Sequence, residues 1–337
     1  MSANDLREKI AESFINALNE DKIPWEKMWQ TERAYNATNQ KDYRGVNALW
    51  LAMQAGERGY TDPRWCTFKQ AKDKGWSVRK GEKGTSVEFW SMYDKKTKKT
   101  LSISEANEIL KNEPEREDDL TFISKRAVVF NAAQIDGIPK LERTEPDIDI
   151  KAIRGQRDTL LQNMDLAFKE GGDRAFYRPS EDRVTMPPEK AFPNDYAYMS
   201  TFLHECGHAT SHPTRLNRTI GGTFGSESYA KEELRAEIAS AFTSQALGFK
   251  GVEHSSMDNH KAYIQSWVQV IKDKPNELFA AIKDAEKIAD YLIEKGQFKL
   301  PEKSPEFKEP LDEQIKNTKA HQEEKTHSAT KEHGLSR

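Results

Sequence analysis

The chain has 337 residues, enough for two ordinary domains that each bury a core. Charged residues make up 32%, aromatics 9%, and the net charge is −3, which excludes a wholly disordered chain and suits a soluble globular one with charged flanks. Its two cysteines, Cys66 and Cys206, lie far apart and argue against a secreted disulfide framework. No apolar run is long enough to span a membrane, and the start, Met1-Ser2-Ala3-Asn4-Asp5, lacks the apolar stretch of a signal peptide, so the expected location is cytoplasmic.

Residues 5–20 read as an amphipathic helix, with Leu6, Ile10, Phe14 and either Ala17 or Leu18 at helical spacing, ended by Pro24-Trp25. From there to about residue 135 the text is aromatic and punctuated by glycine, and it holds six of the seven tryptophans when Trp25 is included. Strands are expected at 87–90 and 127–130, with the polar, acidic stretch 104–119 as a hairpin excursion or insertion. A proline-bearing linker at 139–149 leads to a second domain. There a helix is expected over 151–169, then strands at 175–177 and 183–186 joined by a Pro179-Ser180-Glu181-Asp182 turn. Asn194 or Asp195 caps a helix running through His208, and further helices fit 227–247, 256–272 and 275–295. Beyond Pro301 the Lys, Glu and His low-complexity text predicts a disordered tail over 299–337. The fold class is α+β in two domains, 1–138 and 150–298, the second mainly helical.

Within the second domain, His204-Glu205-Cys206-Gly207-His208 is an HExxH pattern. Residues four apart share a helix face, so His204 and His208 can grip one ion while Glu205 takes a proton from water. A catalytic zinc site needs a third protein ligand. On the helix that follows, Leu234, Ile238, Ala241 and Gln245 form the apolar stripe. Glu237 lies about 40–60° from it and Glu233 about 100° from Leu234. Glu237 is therefore read as third ligand and Glu233 as the carboxylate orienting a ligand histidine, with the reverse assignment open; Glu232 fits a solvated acidic face. Zn2+ is the expected ion, with Mn2+ or another divalent cation accepted by the same donors. His212, before Pro213, is a weaker candidate ligand; His254, His260 and Tyr263 are candidates for stabilising an oxyanion. Cys206 is read as packing, and small Gly207 as sitting between the ion and what packs behind. Strand 183–186 is a candidate sheet edge for an extended peptide.

In the first domain, Lys41 to Lys99 carries 14 Lys/Arg against 7 Asp/Glu. Cations interleaved with aromatics suit single-stranded nucleic acid, with charge for phosphates and π-faces for bases. The candidate contacts are Tyr43, Arg44, Trp65, Lys69, Trp76, Arg79, Lys80 and Lys83, with Gly81 and Gly84 permitting close backbone approach. Trp25, Trp50 and Trp90 are read as core.

These residues carry a resemblance. Pro24-Trp25, Tyr43-Arg44-Gly45-Val46-Asn47, Trp65-Cys66-Thr67-Phe68-Lys69-Gln70-Ala71, Val78 to Thr85 and Val129-Phe130-Asn131 are followed in order by Leu203 to His208, Arg215-Leu216-Asn217-Arg218, Phe224-Gly225 and Tyr229 to Glu237. Over roughly residues 5–297 the chain resembles the ArdC-type antirestriction proteins and the related N-terminal part of TraC-type primases. The resemblance implies a single-stranded DNA-binding domain joined to a zincin-like metallopeptidase domain. It also implies a role in protecting incoming plasmid or phage DNA from host restriction, with a host restriction component as a candidate protein substrate. The alternative is a DNA-coating protein whose metal is structural or vestigial. Cys206 departs from the apolar residue of many relatives, and the text after Gly296 looks like an addition.

Overall fold

The computed structural model describes residues 3–20, 22–25, 32–141, 149–218, 226–249 and 257–303. Trp29, His254, Phe224-Gly225, the side chain of His260 and the tail from residue 304 lie outside the described residues.

Helix α1 (Ala3–Asn19) buries the stripe Leu6, Ile10, Phe14 and Leu18 that its periodicity predicts. The first domain is built on a five-stranded sheet in the order β1-β2-β6-β4-β5, comprising β1 (Tyr35–Asn36), β2 (Arg64–Thr67), β4 (Thr85–Asp94), β5 (Lys99–Leu101) and β6 (Leu120–Asn131). The short strands β3 (Ser77–Val78) and β7 (Ile135–Asp136) pair separately. The β4–β6 ladder is its backbone and runs antiparallel from Thr85↔Val129 to Asp94↔Leu120, far beyond the two short strands expected. Helix α2 (Val46–Arg58) sets Leu51 against Trp65, Val87 and Val129 on one face. It also closes the open edge of β4: the Asn47 amide accepts from Glu88 N–H at 3.0 Å and donates to the Glu88 carbonyl, and Trp50 Nε1 donates to Ser86 O at 3.1 Å. Side chains thus replace a missing strand, which satisfies the backbone and blocks edge-to-edge pairing.

Helix α3 (Phe68–Asp73) opens with a capping box between Thr67 and Gln70. The stretch 104–119 is helix α4 (Ile103–Asn112) and a 3-10 turn, not a bare excursion. Ala106 packs on Met92 and Leu120, while Arg116 clamps the buried Asp94 at 2.7 Å.

In the second domain α5 (Ile150–Asn163) stops six residues short of the expected 169, because Asp165 turns into the left-handed region at φ 48° and the chain re-enters as β8 (Ala167–Glu170). The small sheet runs β8-β10-β9, with β9 (Phe176–Arg178) antiparallel to β10 (Arg183–Met186). Strand β10 is therefore central, not the edge anticipated for a peptide; β9 is an edge. Helices α6 (Asp195–Ala209), α7 (Glu227–Ala246), α8 (Met257–Asp273) and α9 (Pro275–Gly296) follow close to their expected bounds. Asn194 caps α6 and Ser226 caps α7 through their side-chain oxygens.

Met1–Gly137 and Pro146–Glu302 make one compact unit. The main core runs through both domains, joining Phe14, Trp25 and Leu49 to Phe202, Ile238, Trp267 and Ile288. Beside it, Glu286 of α9 receives Arg33 at 2.6 Å and the Gly45 N–H at 2.8 Å. Gly45 sits at φ 54°, a backbone that glycine adopts without strain and that starts α2.

Candidate metal centre

Helix α6 carries His204 and His208 on the face turned to α7. Their Nε2 atoms lie 3.1 Å apart. Both look at one carboxylate: His204 Nε2 is 3.6 Å from Glu233 Oε2, and His208 Nε2 is 3.5 Å from Glu233 Oε1. Zinc bonds of ~2.0–2.1 Å in a tetrahedron put neighbouring donor atoms about 3.3–3.5 Å apart. The three separations straddle that value, so the donor set fits a divalent ion held by two imidazoles and a carboxylate.

The far nitrogens of the two rings are backed by acids. His204 Nδ1 is 3.4 Å from Glu237, and His208 Nδ1 is 3.3 Å from Glu232. Carboxylates in that position hold the ring orientation and tautomer of a ligand histidine. The preferred order of the sequence reading is reversed: Glu233 completes the convergent trio, and Glu237 stands behind His204. Glu232 departs further, being 3% exposed where a solvated face was expected. Arg218 grips Glu232 through Nη1 at 2.6 Å and Nη2 at 3.0 Å and also donates to Gly207 O. The physical reason is that α7 is buried nearly all round, packed between α6, α8 and α9. On such a helix the apolar stripe does not mark the face that meets the site.

The electrostatics agree with the geometry. Glu205, Glu232, Glu233 and Glu237 are all buried, and Arg218 offsets the charge of Glu232. A divalent cation supplies the charge that such a cluster lacks. The histidines register the same field. Burial opposes their protonation, yet Glu237 and Glu233 push His204 up to about 10, and Glu232 and Glu233 raise His208. Burial raises Glu205 above the ordinary carboxylate range, against the pull of both histidines, and its carboxylate accepts the Tyr177 N–H of edge strand β9. Glu233 opposes its own burial through His204 and His208 and is held low, at about 2. Tyr229 donates to Glu233 and bonds to Tyr263, and burial followed by the Glu233 charge lifts its phenol well above the usual range.

Of the other candidates, Tyr263 stays near the trio through Tyr229, while His212 and Cys206 fall away from it. His212 lies past the end of α6 and bonds Thr214 at 2.9 Å. Cys206 is buried in the core, as read. Gly207 packs beside α7 and α9, where an added Cβ would meet Ile288 at an ordinary 3.7 Å, so bareness at this position is not demanded by its neighbours. Sequence reasoning gave no role to Glu232, Tyr229 and the two arginines of Arg215-Leu216-Asn217-Arg218. The Arg215 side chain is 1% exposed and ties Asp182 at 2.7 Å to the end of α6 through Ala209 O. An acidic doublet at 232–233 with arginines in a preceding loop was the available signal.

In the first domain Trp65 is 1% exposed and packs in the α2-facing core, so it cannot meet a base. Tyr43 packs on the same cluster, and burial lifts its phenol to about 12. Arg44 is engaged by Glu286 and Asp290 of α9. Arg79 is exposed but pairs with Glu82 and Asp136, and Trp76 is half-buried. Lys69, Lys80 and Lys83 are exposed. Trp90, read as core, is 48% exposed, whereas Trp25 and Trp50 are buried as expected.

Comparison with known proteins follows the same two-part division. Residues 4–130 match the N-terminal domain of anti-restriction factor ArdC, and residues 155–284 match the zincin-like metallopeptidase family. The metal-free crystal structure of antirestriction ArdC protein from R388 plasmid superposes with a TM-score of 0.66 at 30% identity, covering 87% of this chain and 98% of that one. A Mn(II)-bound structure of that protein superposes equally well, at 0.66 and 30% identity over 86% of this chain and 97% of the other. An uncharacterized protein, y4eC of Sinorhizobium fredii, is 32% identical over 86% of this chain and 91% of its own length. A DNA primase TraC of Escherichia coli is 39% identical over 88% of this chain, which spans only 28% of that relative's length. Among the described residues no helix is long and apolar enough to cross a membrane. With its two domains in the same order and nearly the whole of the R388 protein covered, the chain belongs to the ArdC-type antirestriction family.

Proposed function

We propose that this antirestriction protein works in the cytosol by binding single-stranded DNA through residues 1–138 and cutting a protein through a metallopeptidase site in residues 150–298. The observation that carries the catalytic half is the convergence of His204, His208 and Glu233 beside the buried Glu205. These three residues would hold a divalent ion, zinc by their chemistry; the Mn(II)-bound relative supports a divalent ion in general. When bound, such an ion polarises a carbonyl and acidifies water. Glu205 takes the proton of the attacking water and returns it to the departing amine. Glu237 and Glu232 keep the two imidazole rings turned inward, and Arg218 keeps Glu232 in place. A component of the host restriction system is the candidate substrate.

The experiment is a Glu205→Ala variant assayed for metal content, single-stranded DNA binding and protection of incoming DNA. Retained metal and DNA binding with lost protection is the expected result. Full protection in that variant would sink the peptidase reading in favour of DNA coating. The DNA half is tested by oligonucleotide titration at several salt concentrations. Affinity is expected to fall steeply with salt and to favour single strands; equal binding to duplex would count against it.

A further inference from the structure

The β4–β6 ladder has a second face, turned away from the core that Leu51, Trp65, Val87 and Val129 share. Cross-strand partners and residues two apart point the same way. The pairs Ser86↔Val128, Glu88↔Arg126, Trp90↔Ser124 and Met92↔Phe122 therefore place Trp90, Phe122, Arg126 and Val128 on this one face. Trp90 is 48% exposed, with the Arg7 guanidinium of α1 5.8 Å from the centre of its ring, and Phe122 is 61% exposed, while Met92 on the same face is buried against Ala106 of α4. Large aromatics left open on a central ladder mark a contact surface more than a folding need.

Charge indicates which partner that surface fits. Arg126, Lys83 and Lys80 are exposed and make no ion pair among the described residues. The acids on the same face, Glu88 and Asp94, are buried and already neutralised by Arg7 at 2.9 Å and Arg116 at 2.7 Å. The Lys80–Gly84 loop lies over one end of the strip: a Cβ on Gly84 would fall 2.4 Å from Val128 Cγ1. Glycine is needed at that close approach, which joins the loop carrying the two lysines to Val128, the neighbour of Arg126 along the row. From Val128 to Phe122 the row is about 20 Å long. It is positive at one end and aromatic at the other.

We propose that this face, with Trp90 and Phe122 stacking on unpaired bases and Arg126, Lys83 and Lys80 contacting phosphates, is the single-stranded DNA platform of the protein. The inference rests on the DNA-binding reading above and gives that reading its address. Trp65, Tyr43 and Arg44 are turned inward or paired elsewhere, so the platform replaces them as the DNA-facing residues.

The test measures affinity of the full chain for a fluorescent oligo(dT) by anisotropy, with melting temperature and metal content as folding controls. Trp90→Ala and Phe122→Ala are each expected to weaken binding roughly 5- to 100-fold, and Trp90→Phe to retain it. Arg126→Ala is expected to reduce the slope of log affinity against log salt by ~0.7. If the unaltered chain binds oligo(dT) and the aromatic variants bind equally well, the platform is overturned while the DNA reading stands. If the unaltered chain binds no single strand, both fall. If the variants instead dissolve a dimer seen by sedimentation and leave DNA affinity intact, the face joins copies of the chain and the proposal is wrong.

Discussion

The two candidate surfaces are built in opposite ways. On α6 and α7 the working groups are buried carboxylates and imidazoles within 3.1–3.6 Å of one another. On the β4–β6 ladder and the loop beside it they are exposed aromatics and cations that make no ion pair among the described residues, while the acids Glu88, Asp94 and Glu82 are each paired with an arginine. A small ion is held by pre-organised donors in a low-dielectric pocket, where orientation is enforced by a further ring of carboxylates. A flexible polymer is met by an open strip that gains from many modest interactions. The first design fails abruptly when one group is removed; the second degrades by steps.

That contrast can be broken, beginning with the largest effect. His204→Ala is expected to abolish stoichiometric metal binding measured on purified protein; equal metal content would dismiss the site. Glu233→Gln and Glu237→Gln separate the two glutamates: the former should remove a ligand and most of the affinity, the latter weaken it about 10- to 100-fold by freeing the His204 ring. Equal affinities, or the reverse order, would restore Glu237 as the ligand. Glu232→Gln is expected to behave like Glu237→Gln, because Arg218 then loses its counter-charge and His208 its anionic backing.

A third test asks whether the two regions depend on each other. Glu286→Gln leaves the half-buried Arg33 without its counter-charge and should destabilise the protein in chemical denaturation, by at most about 3–5 kcal/mol, the cost of breaking a fully buried pair. An unchanged midpoint would mean that this ion pair does not couple the domains. Smaller still is the joint substitution Lys80→Ala and Lys83→Ala, which should flatten the salt dependence of DNA binding by ~0.7 for each phosphate no longer neutralised, without altering metal content. Smallest is Gly207→Ala, expected to keep metal content and to raise stability by about 0.5–1 kcal/mol, since helix interiors favour alanine and the space admits a methyl. Loss of the metal in that variant would show that the glycine serves the ion after all.

Much of the molecule is legible in its residues alone. His204, Glu205 and His208 are placed by helix periodicity, which is local: four residues return the chain to the same face whatever surrounds it. The cap of α6, read as Asn194 or Asp195 and found at Asn194, and the approximate bounds of α6 to α9 follow from equally local rules. Membership of the antirestriction family was likewise readable from ordered motifs spread along the chain.

Only the tertiary structure decided which glutamate meets the histidines, because α7 is enclosed and its apolar stripe carries no direction. It alone decided that Trp65 is core and Trp90 is surface. On a strand the face alternates at every residue, so an assignment turns on register and on which side a helix covers. Those are long-range facts, set here by α2 lying against one face of the ladder and sealing the edge of β4. Nothing within a few residues of either tryptophan encodes them.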